Sequence, residues 1–340
     1  MIENFDRLHG LPEGFFDITT ANIRNLFPNP TLIQLDGRGS DFLFISILLH
    51  GNEYTGLKVM QKVLADHAAD LPRSILLFIG NVRAAEASRR YLPDQVDYNR
   101  CWPGTNLEPS ATSQMMQRVV EIAHGLPLFA AIDIHNNTGK NPHYACITDP
   151  NPENQNLAAR FNRVGMVFKH HGVSTMAFNG ICPAATLECG LPGDLQGIEH
   201  ACRFIDDMLT LDELPHGRPT RHALHLVESH LTLNIPEHVS YAFDTAADVD
   251  LRFESNFEDR NFTLFDPHQV FGYTRVERPL SITDTDGHDV TDEVLRVEQG
   301  KIYLNNTMMP AMITRDELVI QQDCLCHLLQ DYLPYHEIEL

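Results

Sequence analysis

A histidine and a glutamate follow directly after a short apolar run and have a spacing that suits metal ligands. His50 closes the run Ile-Ser-Ile-Leu-Leu, and Glu53 comes after a turn at Gly51. Zinc in hydrolytic sites typically takes two histidines and one carboxylate, and it leaves a fourth position for water. A lone His-x-x-Glu pair is more often structural than metal-binding, so a metal site here requires a third ligand from elsewhere in the chain.

The residues around this pair predict a strand that leads into a helix. The run before His50 is short and contains β-branched residues, as in a strand that is buried on both faces. The stretch from Tyr54 to Asp66 has Leu57, Met60 and Val63 on one helical face. In open α/β sheets, ligand-binding and catalytic groups often lie where a strand ends and the next helix begins.

Further polar groups lie in or just after other predicted strands. His135 follows the apolar run 128–134, and Glu188 is the one charge in the run 184–189. A segment rich in arginine ends at Arg100, and by itself it reads as an exposed helix and loop with ordinary charge pairs. Parallel strands joined by right-handed crossovers release their C-terminal ends at one edge of a sheet. The groups can therefore converge in one crevice.

The order of the predicted elements indicates two domains. Strands and helices alternate up to about residue 212, which predicts an α/β domain with a mixed, largely parallel twisted sheet and helices on both faces. After Pro215, short stretches such as Lys301 to Leu304 alternate apolar and polar residues, as half-buried strands do. We therefore expect an α/β domain over residues 1–214 and a smaller β-rich domain over residues 215–340.

Composition and charge narrow the class of protein. The chain of 340 residues has a formal charge of −21, which argues against nucleic acid or anionic membranes as general partners. No apolar run approaches membrane-spanning length, and the start lacks the pattern of a secretory signal. The seven cysteines are odd in number and mostly far apart, which favours reduced thiols in a cytoplasmic protein. A homo-oligomer is compatible with the sequence.

Several short motifs in this chain look like those of one enzyme family. The sequence resembles the aspartoacylase and succinylglutamate desuccinylase family, a branch of the zinc carboxypeptidase superfamily, over about residues 40 to 195. The motifs are His50-Gly-Asn-Glu53-Tyr-Thr-Gly56, Arg90-Tyr91, Asp97-Tyr-Asn-Arg100, Asp133-Ile-His-Asn136 and Thr186-Leu-Glu-Cys-Gly190. The combination of His-Gly-Asn-Glu with Asp-x-Asn-Arg is fairly specific.

The resemblance implies a role for each residue in these motifs. His50, Glu53 and His135 would bind one zinc ion per chain. Glu188 would be the catalytic carboxylate, and Arg90 would polarise the scissile carbonyl group. Asn99 and Arg100 would hold a substrate carboxylate, and Asp97 would orient His50.

The chain also departs from the pattern of aspartoacylase. The segment between Arg90 and Asn99 is longer, so Arg89 or Arg83 could take the role of Arg90. The arginine that aspartoacylase uses shortly before its catalytic glutamate has no counterpart before Glu188, and its substrate-binding tyrosine has no clear match. These differences argue against a dicarboxylate such as N-acetylaspartate as the substrate.

We therefore expect a zinc-dependent hydrolase that cleaves an amide bond near a free carboxylate, with Glu188 as the general base. Its substrate would be an N-acyl amino acid. The nearest alternative is a carboxypeptidase-like metallopeptidase with the same site and a wider pocket. An alternative from another class is a protein that binds zinc and carboxylates without catalysis. The identity of the acyl group and of the amino acid is not encoded in these motifs.

Overall fold

The computed structural model describes residues 5–169 and 171–332, and these form two compact units. The first unit runs to Asn136 and resumes from His143 to His225. The second unit takes the short segment Asn137–Pro142 and continues from Leu226. The sequence-based division into residues 1–214 and 215–340 stays a prediction.

A mixed sheet forms the centre of the first unit. Its strands lie in the order β1-β2-β4-β3-β5-β8-β6-β7, with β2–β4 and β6–β8 antiparallel and the other neighbours parallel. The strands are β1 Asp6–His9, β2 Thr31–Leu35, β3 Phe42–Ile47, β4 Ser74–Ile79, β5 Leu128–His135, β6 Tyr144–Ile147, β7 Val164–Val167 and β8 Ala184–Glu188. The expectation of a mixed, largely parallel sheet is confirmed.

Helices pack on both faces of this sheet, as the alternation along β3 shows. Phe44 lies in the apolar core with Met115 of α3, whereas Ile47 on the opposite face contacts Gly56 of α1. Capping fixes two of the helix starts, because Ser110 accepts from Ser113 N before α3 and Asn151 accepts from Asn154 N before α4. The helices are α1 Thr55–Asp66, α2 Val82–Glu86, α3 Ala111–His124, α4 Pro152–Phe161 and α5 Leu195–Thr210, with 3-10 helices at Thr20–Asn25, Tyr98–Arg100 and Thr175–Phe178.

The second unit is mostly β structure, as expected. A five-stranded sheet has the order β10-β11-β12-β15-β14, while β9 pairs with β13 and β17, and β17 pairs with β16. The strands are β9 His225–Asn234, β10 Tyr241–Ala242, β11 Leu251–Arg252, β12 Gly272–Thr274, β13 Ser281–Asp284, β14 Leu295–Glu298, β15 Lys301–Leu304, β16 Met309–Ala311 and β17 Cys326–Asp331. The remaining elements are α6 Thr291–Val294, α7 Glu317–Gln322 and a 3-10 helix at Phe257–Arg260. Stacked and edge-on contacts among Phe253, Phe257 and Phe271 fill the core. None of the described helices is long and apolar enough to cross a membrane.

Candidate metal centre and active site

His50, Glu53 and His135 come together at the C-terminal ends of β3 and β5, and all three are buried. Glu53 lies between the two imidazoles, with Oε1 2.8 Å from His50 Nδ1 and Oε2 2.7 Å from His135 Nδ1. One candidate ligand atom from each residue lies within 4.8 Å of the other two. Two imidazole nitrogens and one carboxylate are the donors that hydrolytic zinc sites use.

The turn between His50 and Glu53 depends on close backbone packing. Leu48 has a positive φ of 57°, so the chain reverses abruptly where β3 ends. Gly51 N then donates to Arg90 O, and a Cβ at Gly51 would lie 2.1 Å from the carbonyl carbon of Ala84 in α2. Only glycine fits at this position, because backbone atoms cannot move aside as the end of a flexible side chain can. The packing against α2 therefore places both ligands.

Substituting Gly51 with alanine should consequently disrupt the site. We expect G51A to lower the free energy of unfolding by about 2 kcal/mol or more, since overpacking of this kind typically costs 1–3 kcal/mol, and to weaken metal binding. Chemical denaturation and zinc titration measure the two effects. The matched control is G217A, since a Cβ at Gly217 meets nothing within 4 Å. Equal stability and zinc affinity in both variants would contradict the packing argument.

A second carboxylate lies behind each imidazole. Asp97 Oδ1 is 3.0 Å from His50 Nε2, and Asp133 Oδ2 is 2.7 Å from His135 Nε2. A proton on Nε2 that is donated to an aspartate leaves the lone pair of Nδ1 directed toward Glu53, where a metal would lie. The sequence pointed to Asp97 but assigned no role to Asp133. The sequence could have revealed Asp133, because it lies two positions before His135 and residues i and i+2 of a strand share a face.

Asp133 is itself held by two serines that the motifs did not reveal. Ser46 Oγ donates to Asp133 Oδ1 at 2.7 Å, and Ser174 Oγ donates to Asp133 Oδ2. The backbone N–H of Ser174 also donates to Asn99 Oδ1 at 3.1 Å. The amide nitrogen of Asn99 lies 3.5 Å from His135 Nε2. One buried network thus joins His135 to the segment that carries the predicted carboxylate-binding residues.

The structure distinguishes among the candidate arginines by position. Arg90 donates from Nε and Nη2 to Asp97 Oδ2, at 3.2 and 3.1 Å, and is largely buried. Arg83 instead forms an exposed ion pair with Asp94, and Arg89 is exposed. Of these three arginines, Arg90 is the one linked to a candidate metal ligand, because Asp97 contacts both Arg90 and His50. Arg100, in the adjoining 3-10 helix, donates to Asn99 O.

Glu188 ends β8 next to the ligand-bearing strand. The parallel register of β5 and β8 pairs it with His135, and Cys189 N donates to His135 O at 3.0 Å. Asn136 fastens the end of β5 by donating to Glu53 Oε2 and to Gly190 O. Burial raises the pKa of Glu188 to about 7 from an ordinary value of 4.5. A carboxylate with a pKa near neutrality can accept and return a proton.

The charges around the imidazoles show what the site favours. Burial would lower the pKa of His135, but the carboxylates of Asp133 and Glu53 raise it well above its usual value. Burial would raise the pKa of Glu53, and the two histidines nevertheless hold it far below its usual range. Burial would likewise raise the pKa of Asp97, but the positive charges of His50 and then Arg90 hold it well below its usual value. The buried carboxylates therefore favour a positive charge between them.

This donor set fits a divalent cation. Metal ligation requires both imidazoles to be neutral. The carboxylates of Glu53, Asp97 and Asp133 would then outnumber the two nearby guanidinium groups, those of Arg90 and Arg100. Unpaired buried charge is costly, so a cation between the two Nδ1 atoms and Glu53 would offset the excess of negative charge. Among the described residues, one other group, Asp284, Asp286 and His288, has comparable spacing, but it is largely exposed.

The segment that carries the candidate metal ligands matches a known family of catalytic domains. Residues 42–179 match the family profile described as the succinylglutamate desuccinylase/aspartoacylase catalytic domain. A comparison with curated proteins finds no significant match. The matched segment contains all three candidate metal ligands but ends before Glu188.

Solved structures share the fold at low sequence identity. Succinylglutamate desuccinylase from Vibrio parahaemolyticus is 12% identical, with a TM-score of 0.59 over 88% of this chain and 86% of that one. The enzyme of the same name from Chromobacterium violaceum is 19% identical, with a TM-score of 0.51 over 68% and 76%. Murine aminoacylase 3 is 15% identical, with a TM-score of 0.51 over 86% and 96%. The profile match thus confirms the resemblance to the succinylglutamate desuccinylase and aspartoacylase family over residues 42–179, and the solved structures confirm the fold.

Proposed function

We propose that this protein is a zinc-dependent hydrolase that cleaves the amide bond of an N-acyl amino acid, next to a free carboxylate. The observation that carries the proposal is Glu53 between the Nδ1 atoms of two imidazoles, with Glu188 on the neighbouring strand. The structural relatives named as desuccinylases and as an aminoacylase support the same class of reaction.

In this proposal, His50, Glu53 and His135 hold one zinc ion. Zinc supplies a Lewis acid, which makes water a better nucleophile near neutral pH and polarises a carbonyl group. Asp97 and Asp133 each accept at Nε2 of one imidazole, which would leave Nδ1 of His50 and Nδ1 of His135 available to bind the ion.

Glu188 acts as the general base and then as the general acid. Its carboxylate takes a proton from the attacking water and returns that proton to the leaving amine nitrogen, for which a pKa near 7 is well suited. The guanidinium of Arg90, beside the metal ligands, stabilises negative charge that develops on the carbonyl oxygen. Asn99 and Arg100 hold the substrate carboxylate, since an amide beside a guanidinium provides several N–H donors.

Metal analysis combined with a substrate panel tests the proposal. We expect about one zinc per chain, loss of amidase activity on treatment with a chelator, and recovery on addition of zinc. The panel contains N-acyl amino acids and short peptides. Faster cleavage of the peptides would favour the metallopeptidase alternative. Stoichiometric zinc without any turnover would instead indicate a protein that binds zinc and carboxylates, and absence of zinc would contradict the proposal.

The raised pKa of Glu188 predicts a pH dependence. The base must be deprotonated, so kcat/KM should fall as the pH is lowered through the pKa of Glu188. That pKa is about 7 in the metal-free protein, and a nearby cation lowers it, so the acid limb should lie between pH 4.5 and 7. Zinc content measured in the same samples separates this limb from loss of metal. A flat profile over this range with full zinc occupancy would exclude Glu188 as the base.

We also propose a reducing compartment such as the cytoplasm, because none of the seven cysteines, all of which lie in the described residues, forms a disulfide, and most are buried. Burial raises the pKa of Cys182 to about 12 and that of Cys202 to about 11. Thiols of this kind are poor nucleophiles and react slowly with oxidants. The partners that this function implies are small carboxylate substrates, with a homo-oligomer as a compatible assembly.

A further inference from the structure

A cavity of about 380 Å³ adjoins the metal-ligand group within the first unit. Asp97 forms part of its wall and also accepts from His50, so the cavity lies beside that ligand. Arg100 forms another part of the wall. The volume lies at the lower end of the range of about 300–1,000 Å³ for small-molecule pockets.

The position of Arg100 decides which part of a substrate reaches this cavity. In an N-acyl amino acid the carboxylate and the side chain are attached to the same carbon, whereas the acyl group lies on the far side of the scissile amide. A carboxylate held by Arg100 therefore brings the side chain within a few bonds of the cavity wall. The cavity is accordingly suited to the amino-acid side chain rather than to the acyl group.

Apolar and polar residues share the walls of the cavity, with Gln95, Asn106 and His171 among the polar ones. Tyr91, Val96 and Leu107 form the apolar part of the wall, and Val96 and Leu107 are 38% and 49% exposed. Arg100 is the only lysine or arginine among the described residues that line the cavity. A second carboxylate would thus compete with the first for one guanidinium, whereas an apolar side chain would cover exposed apolar surface.

These walls are held in place relative to Arg100. The Thr105 hydroxyl donates to Arg100 O at 2.6 Å, and Leu107 N donates to the same hydroxyl oxygen at 3.0 Å. On the other side, a Cβ at Gly172 would lie 2.3 Å from Arg100 O, so the segment next to His171 packs tightly on the same carbonyl group. A pocket that is already formed binds its ligand without the cost of ordering its walls.

We propose that this cavity is the side-chain pocket of the enzyme, and that the preferred substrates are N-acyl derivatives of amino acids with large apolar or aromatic side chains. The inference rests on the proposed function and names its substrate class. It separates this chain from enzymes that act on acyl derivatives of acidic amino acids.

The first test compares kcat/KM of the zinc-loaded protein for the N-acetyl derivatives of phenylalanine, leucine, alanine, aspartate and glutamate. We expect the phenylalanine and leucine derivatives to exceed the other three by about tenfold or more, since a well-filled apolar pocket discriminates by about 10- to 200-fold. Faster hydrolysis of the acidic derivatives would overturn the inference and leave the proposed function intact.

The second test alters the pocket. V96A and L107A should lower kcat/KM for N-acetylphenylalanine about fivefold or more, mainly through KM, and lower that for N-acetylalanine much less, because the alanine methyl group is too short to fill the pocket. L264A, in the second unit, is the matched control because its side chain is also exposed and apolar. Equal losses on both substrates would overturn the assignment.

A binding measurement decides the inference even without turnover. If no derivative is hydrolysed, the proposed function fails, and calorimetry on the zinc-loaded E188Q variant still reports the preference of the cavity. We expect tighter binding of N-acetylphenylalanine than of N-acetylaspartate, and weaker binding of the former in the E188Q/L107A double variant. The reverse order of affinity, or no binding of either compound, would overturn the assignment of the pocket.

Discussion

Replacing Glu188 with glutamine should lower the rate of amide hydrolysis by about 10³-fold or more while zinc stays bound. Glutamine has nearly the shape of glutamate but cannot take a proton from water, and general acid–base catalysis typically contributes 10²–10⁴-fold. Glu188 is not one of the three converging ligands, so the zinc content should not change. The measurement is kcat and KM at saturating zinc, with metal analysis of the same preparation, and the loss should be in kcat.

A control separates this effect from a general loss of charge. Glu153 lies in the first turn of α4 and is exposed, so E153Q should retain the wild-type rate. A rate for E188Q close to that of the wild type would remove Glu188 from the mechanism. Loss of zinc from E188Q would assign it to the ligand set instead.

The second large effect is expected at Glu53, with Asp133 as a graded comparison. E53Q should be purified with little zinc and without activity, because the carboxylate that both Nδ1 atoms face is lost. D133N keeps all three ligands but weakens the hold on His135, and changes behind a metal ligand typically cost 10–100-fold in affinity. Zinc affinity measured by competition with a chromogenic chelator should therefore fall in the order wild type, D133N, E53Q.

Excess zinc should distinguish these two variants. D133N should regain much of its activity as its site fills, whereas E53Q should not. Circular dichroism of each variant verifies that it is folded, and D212N, at an exposed aspartate, provides the control. Full zinc occupancy in E53Q at the affinity of the wild type would contradict the metal site that we propose.

Much of the fold of the first unit could be predicted from local sequence. The strands Thr31–Leu35 and Ser74–Ile79 coincide with short apolar runs in the sequence that turn residues flank on each side. The start of α4 follows from Asn151 as the cap and Pro152 at the first helical position. In these elements, local preference and burial agree.

Elements that depend on partners distant in sequence could not be predicted as well. β1 has an alternating pattern of exposure and forms at the sheet edge by pairing with β2, for which its own residues carry little signal. The alternating apolar and polar residues from Val249 to Phe253 favour a strand of that length. The strand is nevertheless limited to Leu251–Arg252, because the ladder with β12 pairs just these two residues. The short segment Asn137–Pro142 belongs to the second unit through tertiary contacts alone.

The candidate site shows the same distinction. His50, Glu53 and Asp97 lie in motifs with recognisable spacing, and the structure brings them together with His135. Ser174 carries no such signal, because a serine in a loop has many uses and its contact with Asp133 spans 41 positions. Likewise, it is the ion pair with Asp97 in the structure that distinguishes Arg90 from Arg83 and Arg89.

The path of the backbone between the two units has a consequence for engineering the protein. The chain leaves the first unit directly after Asn136, returns at His143 and leaves again after His225. Lys140 and Asn141 form hydrogen bonds with Asn261 and Met312 of the second unit. A single cleavage of the polypeptide after His225 would therefore separate the second unit from its own segment Asn137–Pro142. A chimaera that exchanges the second unit must also exchange this hexapeptide, which lies just beyond the strand that carries His135.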